Sequence, residues 1–483
     1  MQTQESYKPS AVIIESMDLT NFDGSKTIDI RDFVAEINIY EDIFQCQIMG
    51  DLSIQDSKEL IEFFPIVGEE TIEIRFRVPT RDLQNSINLK KMRVYKIGDR
   101  TASGKNVGKI QTYTLYFFSS EILTNLNTRV SRSFNTMTAS NIAKIVFDDY
   151  LKSDKKFEIE NTVGTLKTVI PNWNPFKVIN WLANTKAINA EKQCDFLFFE
   201  STNKSEGPQY NLKSISTMMK QPSSFTMEFT IQNVNSNGTK DTSTSTRNVE
   251  EFSFDNHGSV LNNTLNGQYN QCWICHDPLR KKFVISKHSH SEDYLDASTS
   301  GNSFYSDKVK NDSKPMQFVR MPGGIDCFPT NISLSKSPDN DTTKSVEQKP
   351  NRGDLKYISK REKPDELISN SLIVDQSASR IFKIQQMNNF KLCIDSIPGT
   401  DEIQLGKIIE FNKPHITFDS TQISNKTGRF NDRFVSGNYL VSRIRHRIYI
   451  LPEAKERSYT VSIELLRDRF NEQISHKEIT GDA

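Results

Sequence analysis

The sequence predicts a mainly β protein with an α+β insertion: barrel-like antiparallel units at the two ends of the chain and a helix-containing domain between them. Three observations predict it. Apolar and polar residues alternate at a spacing of two within residues 1–125 and again within 376–483, the period of a strand with one buried face. Helix-start residues and helical spacing concentrate between them, in residues 126–215. Only 36% of the 483 residues are apolar, yet 30 Phe and 14 Tyr bring large area per side chain, which suits several modest cores better than one large one. That length corresponds to about three domains.

The elements follow in order. Ala35, Ile37 and Ile39 alternate with Glu36, Asn38 and Tyr40. After a turn placed at Glu41-Asp42, Phe44, Cys46, Ile48, Gly50, Leu52 and Ile54 alternate with polar neighbours. Ile72, Ile74, Phe76 and Val78 oppose Glu73, Arg75 and Arg77, and Tyr113, Leu115 and Phe117 make another strand. These build a small antiparallel barrel or sandwich over 1–125. In the α+β domain, 126–215, Thr138 or Ser140 caps a helix carrying Ile142, Ile145, Val146 and Tyr150. Asn174-Pro175 starts a second helix, with Pro at the first position, where no amide hydrogen is needed. Phe196–Phe199 reads as a buried strand. Residues 216–375 open a second barrel-like unit with a strand at Phe225–Ile231. Polar stretches at 235–247, 291–313 and 335–364 interrupt it, too poor in apolar surface to order themselves. Residues 376–483 complete the unit with strands around Leu392, Ile409, Tyr439–Ile450 and Tyr459–Leu465.

The two ends resemble each other. Val67–Ile74 is like Leu405–Phe411, and Tyr113–Phe117 is like Tyr459–Ile463. Two readings fit: a true repeat, giving two copies of one unit per chain, or chance likeness between amphipathic strands.

Lys plus Arg and Asp plus Glu both number 61, so the net charge is +0. This excludes a chain-wide basic footprint for nucleic acid and an acidic solvating tail. The six cysteines are mostly far apart in a long chain, which predicts reduced thiols. The N-terminal residues Met1–Ser6 lack the charge and apolar run of a signal peptide, and no run reaches the roughly 18 apolar residues of a membrane helix. The expectation is a protein made without export and without membrane insertion.

Few motifs carry chemistry. Cys272-Trp273-Ile274-Cys275-His276 matches the haem attachment pattern, but that attachment requires export. Cys272, Cys275, His288 and His290 are zinc-type donors, although the two histidines are one residue apart instead of three to five. The competing reading is two buried thiols and Trp273 in an ordinary strand. Gly98–Asn106 departs from a phosphate-binding loop in spacing and in lacking the Ser or Thr after Lys105, so it reads as a loop between strands. Asp339-Asn340-Asp341 lacks the Gly and Glu of a calcium loop, and Arg352-Gly353-Asp354 lies in a polar linker. Arg443, Arg445 and Arg447 share one side of a strand beside His446. They make either a patch for an acidic partner or a solvated face. No residue is predicted to be catalytic, and no cofactor is predicted.

The order of these features resembles a known family. Val34–Ile54 followed by Pro65–Ile74 is similar to the N-terminal barrel of phage baseplate hub proteins. Asn174–Ala183 followed by Asp195–Glu200 looks like the hub's Pro-Phe helix and aromatic strand. Asn262–Tyr269 with Asp277–Arg280 is similar to a strand pair of T-even-like hubs. Leu405–Phe411, Gly437–His446 and Tyr459–Asp468 match the end of the hub. The resemblance covers most of the chain and extends to the hub part of type VI secretion spike proteins. It implies two tube-type antiparallel β-barrel domains per chain and a homotrimer forming a pseudo-sixfold ring. That ring adapts the hexameric tail tube, or a tube-initiator protein, to the trimeric central spike and passes genomic DNA through its lumen. It implies contacts with tape measure and baseplate wedge proteins, a place in the tail baseplate of the virion after assembly in the host cytoplasm, and no enzyme activity. The chain ends soon after Leu465–Phe470, which implies a hub without an attached spike or lysozyme. The alternatives are a type VI-like carrier of spike or effector, and a zinc-dependent or cell-wall hydrolase.

Overall fold

A computed structural model of the chain describes residues 10–79, 86–102, 110–191, 193–203, 207–229, 247–255, 380–400 except 382, 386 and 389, then 402–414, 432, 435–451 and 456–468, together with the backbone of four strands between 270 and 357. The first strand group comprises β1 (Ile13–Thr20), β2 (Thr27–Asp29), β3 (Val34–Asp42), β4 (Met49–Asp56), β5 (Thr71–Arg77), β6 (Ser86–Ala102) and β7 (Gln111–Ser119), with a short helix α1 (Leu60–Phe63) between β4 and β5. All are paired antiparallel, in the order β2-β1-β5-β6-β7-β4-β3. The alternation read from sequence sets the faces: Ile72, Ile74 and Phe76 are buried, as are Tyr113, Leu115 and Phe117. Gly50 is required by close packing, because a Cβ there would lie 2.3 Å from Phe117 Cζ and 2.4 Å from the Asn38 carbonyl oxygen.

The middle of the chain holds α2 (Glu121–Asn127), β8 (Val130–Met137), α3 (Ala139–Ile145) running into a π turn at Val146–Leu151, β9 (Phe157–Ile159), β10 (Leu166–Trp173), α4 (Pro175–Thr185), β11 (Phe196–Ser201), β12 (Gln209–Ser214) and α5 (Ile215–Met219). Its own core gathers Ile142, Val146, Ile179, Leu182, Phe198 and Tyr210 among others. Thr138 is the cap of α3: its Oγ1 accepts from Asn141 N at 3.3 Å. Asn174 precedes Pro175 as expected, but its side chain donates to the Asn125 carbonyl at 2.7 Å instead of capping its own helix.

A second strand group follows: β13 (Ser223–Phe229), β14 (Asn248–Val249) and β15 (Phe252–Asp255). Next come β16 (Asn270–Asp277), β17 (Lys282–Ser289), β18 (Thr330–Leu334) and β19 (Lys356–Tyr357), a separate sheet of order β18-β16-β17-β19. The group resumes with β20 (Lys391–Pro398), β21 (Ile408–Asn412), β22 (Gly437–Ile450) and β23 (Arg457–Leu466). Without the inserted sheet, its pairing order is β14-β13-β21-β22-β23-β20-β15. In chain order and in neighbours this is the plan of the first group, β1 to β7 matching β13, β14, β15, β20, β21, β22 and β23. The two sequence likenesses fall on matching strands, β5 with β21 and β7 with β23.

The structure departs from the sequence reading in three further places. The turn placed at Glu41-Asp42 is strand, and β3 runs through Asp42. The turn comes next, held by Phe44 N donating to Asp42 Oδ1 at 2.8 Å, so Phe44 and Cys46 leave the sheet. Gly98–Ala102, read as loop, are the end of the long β6. The second group is not wholly antiparallel: β13 pairs in parallel with β21 and with β14. Parallel neighbours need a long connection, and β13 and β21 are separated by the whole inserted region.

Candidate functional site at the seam between the repeats

One sheet unites the chain ends, and β22 joins them. Its first residues pair with β21, up to Leu440 opposite Ile408. After a bulge between Val441 and Arg443, the same edge passes to β3, from Arg443 opposite Asp42 to Tyr449 opposite Glu36. β23 covers the other edge from Leu440 to Ile450. The far end of the β22–β23 hairpin also closes the first barrel. Ala11 bridges Ser458, Tyr459 N donates to the Ser10 carbonyl at 2.8 Å, and the Tyr459 ring meets Phe76 edge-on at 5.5 Å. A residue of the second repeat thus fills the core of the first. Residues of both ends form one apolar cluster, from Ile14 through Phe117 to Leu466.

The buried side of the seam is polar at one point. His446 Nε2 lies 2.9 Å from Glu41 Oε1 and its Nδ1 2.7 Å from Tyr459 Oη. Glu41 also accepts from Thr202 N at 2.8 Å and Thr202 Oγ1 at 2.6 Å. A buried carboxylate needs such partners, and these come from β3, β22, β23 and the residue after β11, so four distant segments are fixed together.

The other side of the seam carries the three arginines, and they are engaged within the chain. Arg443 Nε lies 2.7 Å from Asp42 Oδ2 and its Nη1 3.1 Å from Glu464 Oε2. Arg445 donates twice to Asn38 Oδ1, at 3.1 and 3.0 Å, and Asn38 Nδ2 donates to Asp51 at 2.9 Å and Glu36 at 3.2 Å. Arg447 grips both oxygens of Glu36, at 2.8 and 3.2 Å. Partial burial works to raise the Glu36 pKa; hydrogen bonds from Arg447 and Asn38 outweigh it and hold the carboxyl below its ordinary value. Burial also opposes the charge of Arg443, and Asp42 and Glu464 outweigh that too. These arginines remain 43–51% exposed, so each pair contributes at most about 1 kcal/mol.

Two buried ion clusters tie the middle domain to this frame. Lys155 Nζ lies 2.7 Å from Glu121 Oε2 and 2.6 Å from Glu200 Oε1. Glu200 reaches into the first barrel, accepting from Ile48 N at 2.9 Å and from Ser119 Oγ. Burial raises the Glu200 pKa, partly offset by Lys155. Lys383, just before β20, lies 2.7 Å from each of Asp195 Oδ2, Gln193 Oε1 and Ser216 Oγ.

The zinc-type residues lie elsewhere. Cys272 and Cys275 sit on β16 opposite Lys287 and Val284, and His288 sits on β17 opposite Gln271. Their side chains and His290 lie outside the described residues, as do residues 339–341 and 352–354. Sequence reading missed Glu41, Lys155, Glu200 and Lys383. No local signal marks them, since each partner stands tens to hundreds of residues away.

No family model matches the chain, and no curated protein sequence does. Solved structures do. The tail protein from Neisseria meningitidis MC58 is 9% identical with a TM-score of 0.50, covering 94% of this chain and 96% of that one. The 43 kDa tail protein of prophage MuSo2 from Shewanella oneidensis is 10% identical, TM-score 0.47, covering 94% and 98%. A chain of the Francisella PdpA-VgrG complex is 10% identical, TM-score 0.44, covering 98% of this chain and 55% of that one. The first of these matches, at near-complete coverage, shows that the chain shares the β-rich fold of that tail protein, in keeping with the mainly β fold that the sequence predicted.

Proposed function

We propose that the chain is a structural baseplate hub, three copies of which close a pseudo-sixfold ring around a passage for DNA. One observation carries this reading: the chain already contains one seam between two matching repeats. Beyond its own bulge, between Val94 and Lys96, β6 corresponds to the half of β22 that pairs with β3. Among the described residues, β6 has β7 on one edge there and no strand on the other, and β15 pairs only with β20. Setting β6 of one copy beside β15 of the next repeats the internal seam, and a ring uses up every such edge. A head-to-tail contact of this kind closes when its rotation divides the circle; the number three comes from the hub resemblance.

The continuous sheet β6-β7-β4-β3-β22-β23-β20-β15 supplies eight strands per copy. Roughly 24 strands spaced about 4.8 Å apart enclose a backbone bore about 37 Å wide before tilt widens it. A DNA duplex fits inside that bore with side chains counted. In this reading one rim continues the tail tube or tube initiator and the other receives the trimeric spike, with tape measure and wedge proteins as further neighbours in the virion baseplate. The role is mechanical, without catalysis.

Sedimentation of the full chain at micromolar concentration, alone and with its spike partner, tests this reading. A species of three chains is expected, with interfaces burying more than about 2,000 Å². A single-chain species that persists beside the spike would contradict it.

A further inference from the structure

In a ring closed by this sheet, the face turned away from the apolar core lines the bore, so on the reading above the seam presents three arginines where DNA passes. A row of arginines ordinarily binds phosphate, and each neutralised phosphate adds affinity through counter-ion release. We infer that the carboxylates of β3, β4 and β23 are built-in counter-ions that keep this face from holding a polyanion, so that duplex DNA moves past without adhering.

The geometry supports this residue by residue. Arg443 is shared between Asp42 and Glu464, Arg447 is held bidentately by Glu36, and Arg445 is linked through Asn38 to Asp51 and Glu36. Lys391 closes the set on Glu464 at 2.7 Å. Four cations therefore stand beside four carboxylates: Glu36, Asp42, Asp51 and Glu464. Asp42 and Glu464 are the more buried members of their pairs, at 15% and 12% exposure against 51% for Arg443. The anions are fixed in the sheet while the guanidinium groups reach outward. A guanidinium whose donors are already taken by a carboxylate fork has few left for a phosphate, and an incoming phosphate meets the carboxylates at short range.

The inference rests on the ring reading, but its test does not need the ring's symmetry. Binding of a short DNA duplex to the full chain is measured by fluorescence anisotropy at low and physiological salt. Wild-type protein is expected to bind weakly. Glu36→Gln with Asp42→Asn, which keeps shape and the turn hydrogen bond, is expected to bind about tenfold more tightly with a steeper salt dependence. Adding Arg443→Gln, Arg445→Gln and Arg447→Gln to that variant is expected to abolish the gain. A neutralised variant that binds no better than wild type, or a gain that survives removal of the arginines, overturns the inference and leaves the ring reading to its own sedimentation test.

Discussion

β6 and β22 hold the same place in the two repeats, between β5 and β7 in one and between β21 and β23 in the other. Both carry a bulge at the matching position, Val94 to Lys96 and Val441 to Arg443. Beyond it they part. The far half of β22 is covered on both edges, and its side chains alternate between a buried set and an ion-paired set. The far half of β6 exposes Tyr95, Lys96, Asp99, Arg100 and Thr101. An open edge is a template for another strand, and charge along it is a usual guard against unwanted pairing. On the proposed ring the two halves are counterparts: matching residues form a finished contact inside the chain in one case and would meet a second copy in the other.

The largest expected effects come from the unlike clamps that hold each repeat to the middle domain. Lys155 neutralises two buried carboxylates, while Lys383 neutralises one. Lys155→Met leaves Glu121 and Glu200 without a counter-charge and is expected to cost about 3–5 kcal/mol, read as a fall in Tm; Lys383→Met is expected to cost less. The sign of the pH dependence follows from Glu200. A carboxyl whose folded pKa is raised adds stability that is present at low pH and lost as pH rises through that pKa. The Lys155→Met deficit should accordingly shrink on acidification from neutral pH. A deficit that grows instead would mean that Glu200 is not the group left exposed to the loss.

A medium effect sharpens the match between the repeats. Gly50 faces Phe117 in the first, and Leu392 faces Leu465 at the same place in the second. One pair is small against large and the other is even, two ways of filling similar space. Gly50→Ala is expected to destabilise by about 1–3 kcal/mol through overpacking, and Phe117→Leu in the same chain should recover part of the loss in denaturant unfolding. Additive losses would break the match. The smallest effect belongs to the exposed ladder: Arg447→Gln should change stability by less than about 1 kcal/mol, because its partner Glu36 is itself part-exposed and free to rehydrate.

The strand plan was legible where burial is one-sided. Ile72, Ile74 and Phe76, or Tyr459, Val461 and Ile463, alternate so regularly that face and period could be read directly. β6 escaped notice because Lys90, Lys91, Arg93, Tyr95 and Lys96 blur the alternation, the first two at the bulge in its pairing with β5. The likeness of Val67–Ile74 to Leu405–Phe411 pointed to matching strands, but not to β22 serving both repeats, since pairing across hundreds of residues leaves no local trace. The arginine row was visible as charge. Its partners were not, because Asp42 was read as a turn residue and Glu36 only as a polar strand position, and nothing local ties Glu464 to Arg443. The buried clusters around Glu41, Glu200 and Asp195 were silent for the same reason: in sequence each looks like one more surface carboxylate.

An electron cryomicroscopy reconstruction of the full chain in its assembled form, at a resolution that separates strands, tests the central claim most directly. The claim requires three copies around an open centre, with residues 94–102 of one copy running antiparallel beside residues 252–255 of the next, as Arg443–Tyr449 runs beside β3 within a single chain. A particle whose copies meet through other surfaces, leaving those two edges bare, would contradict it.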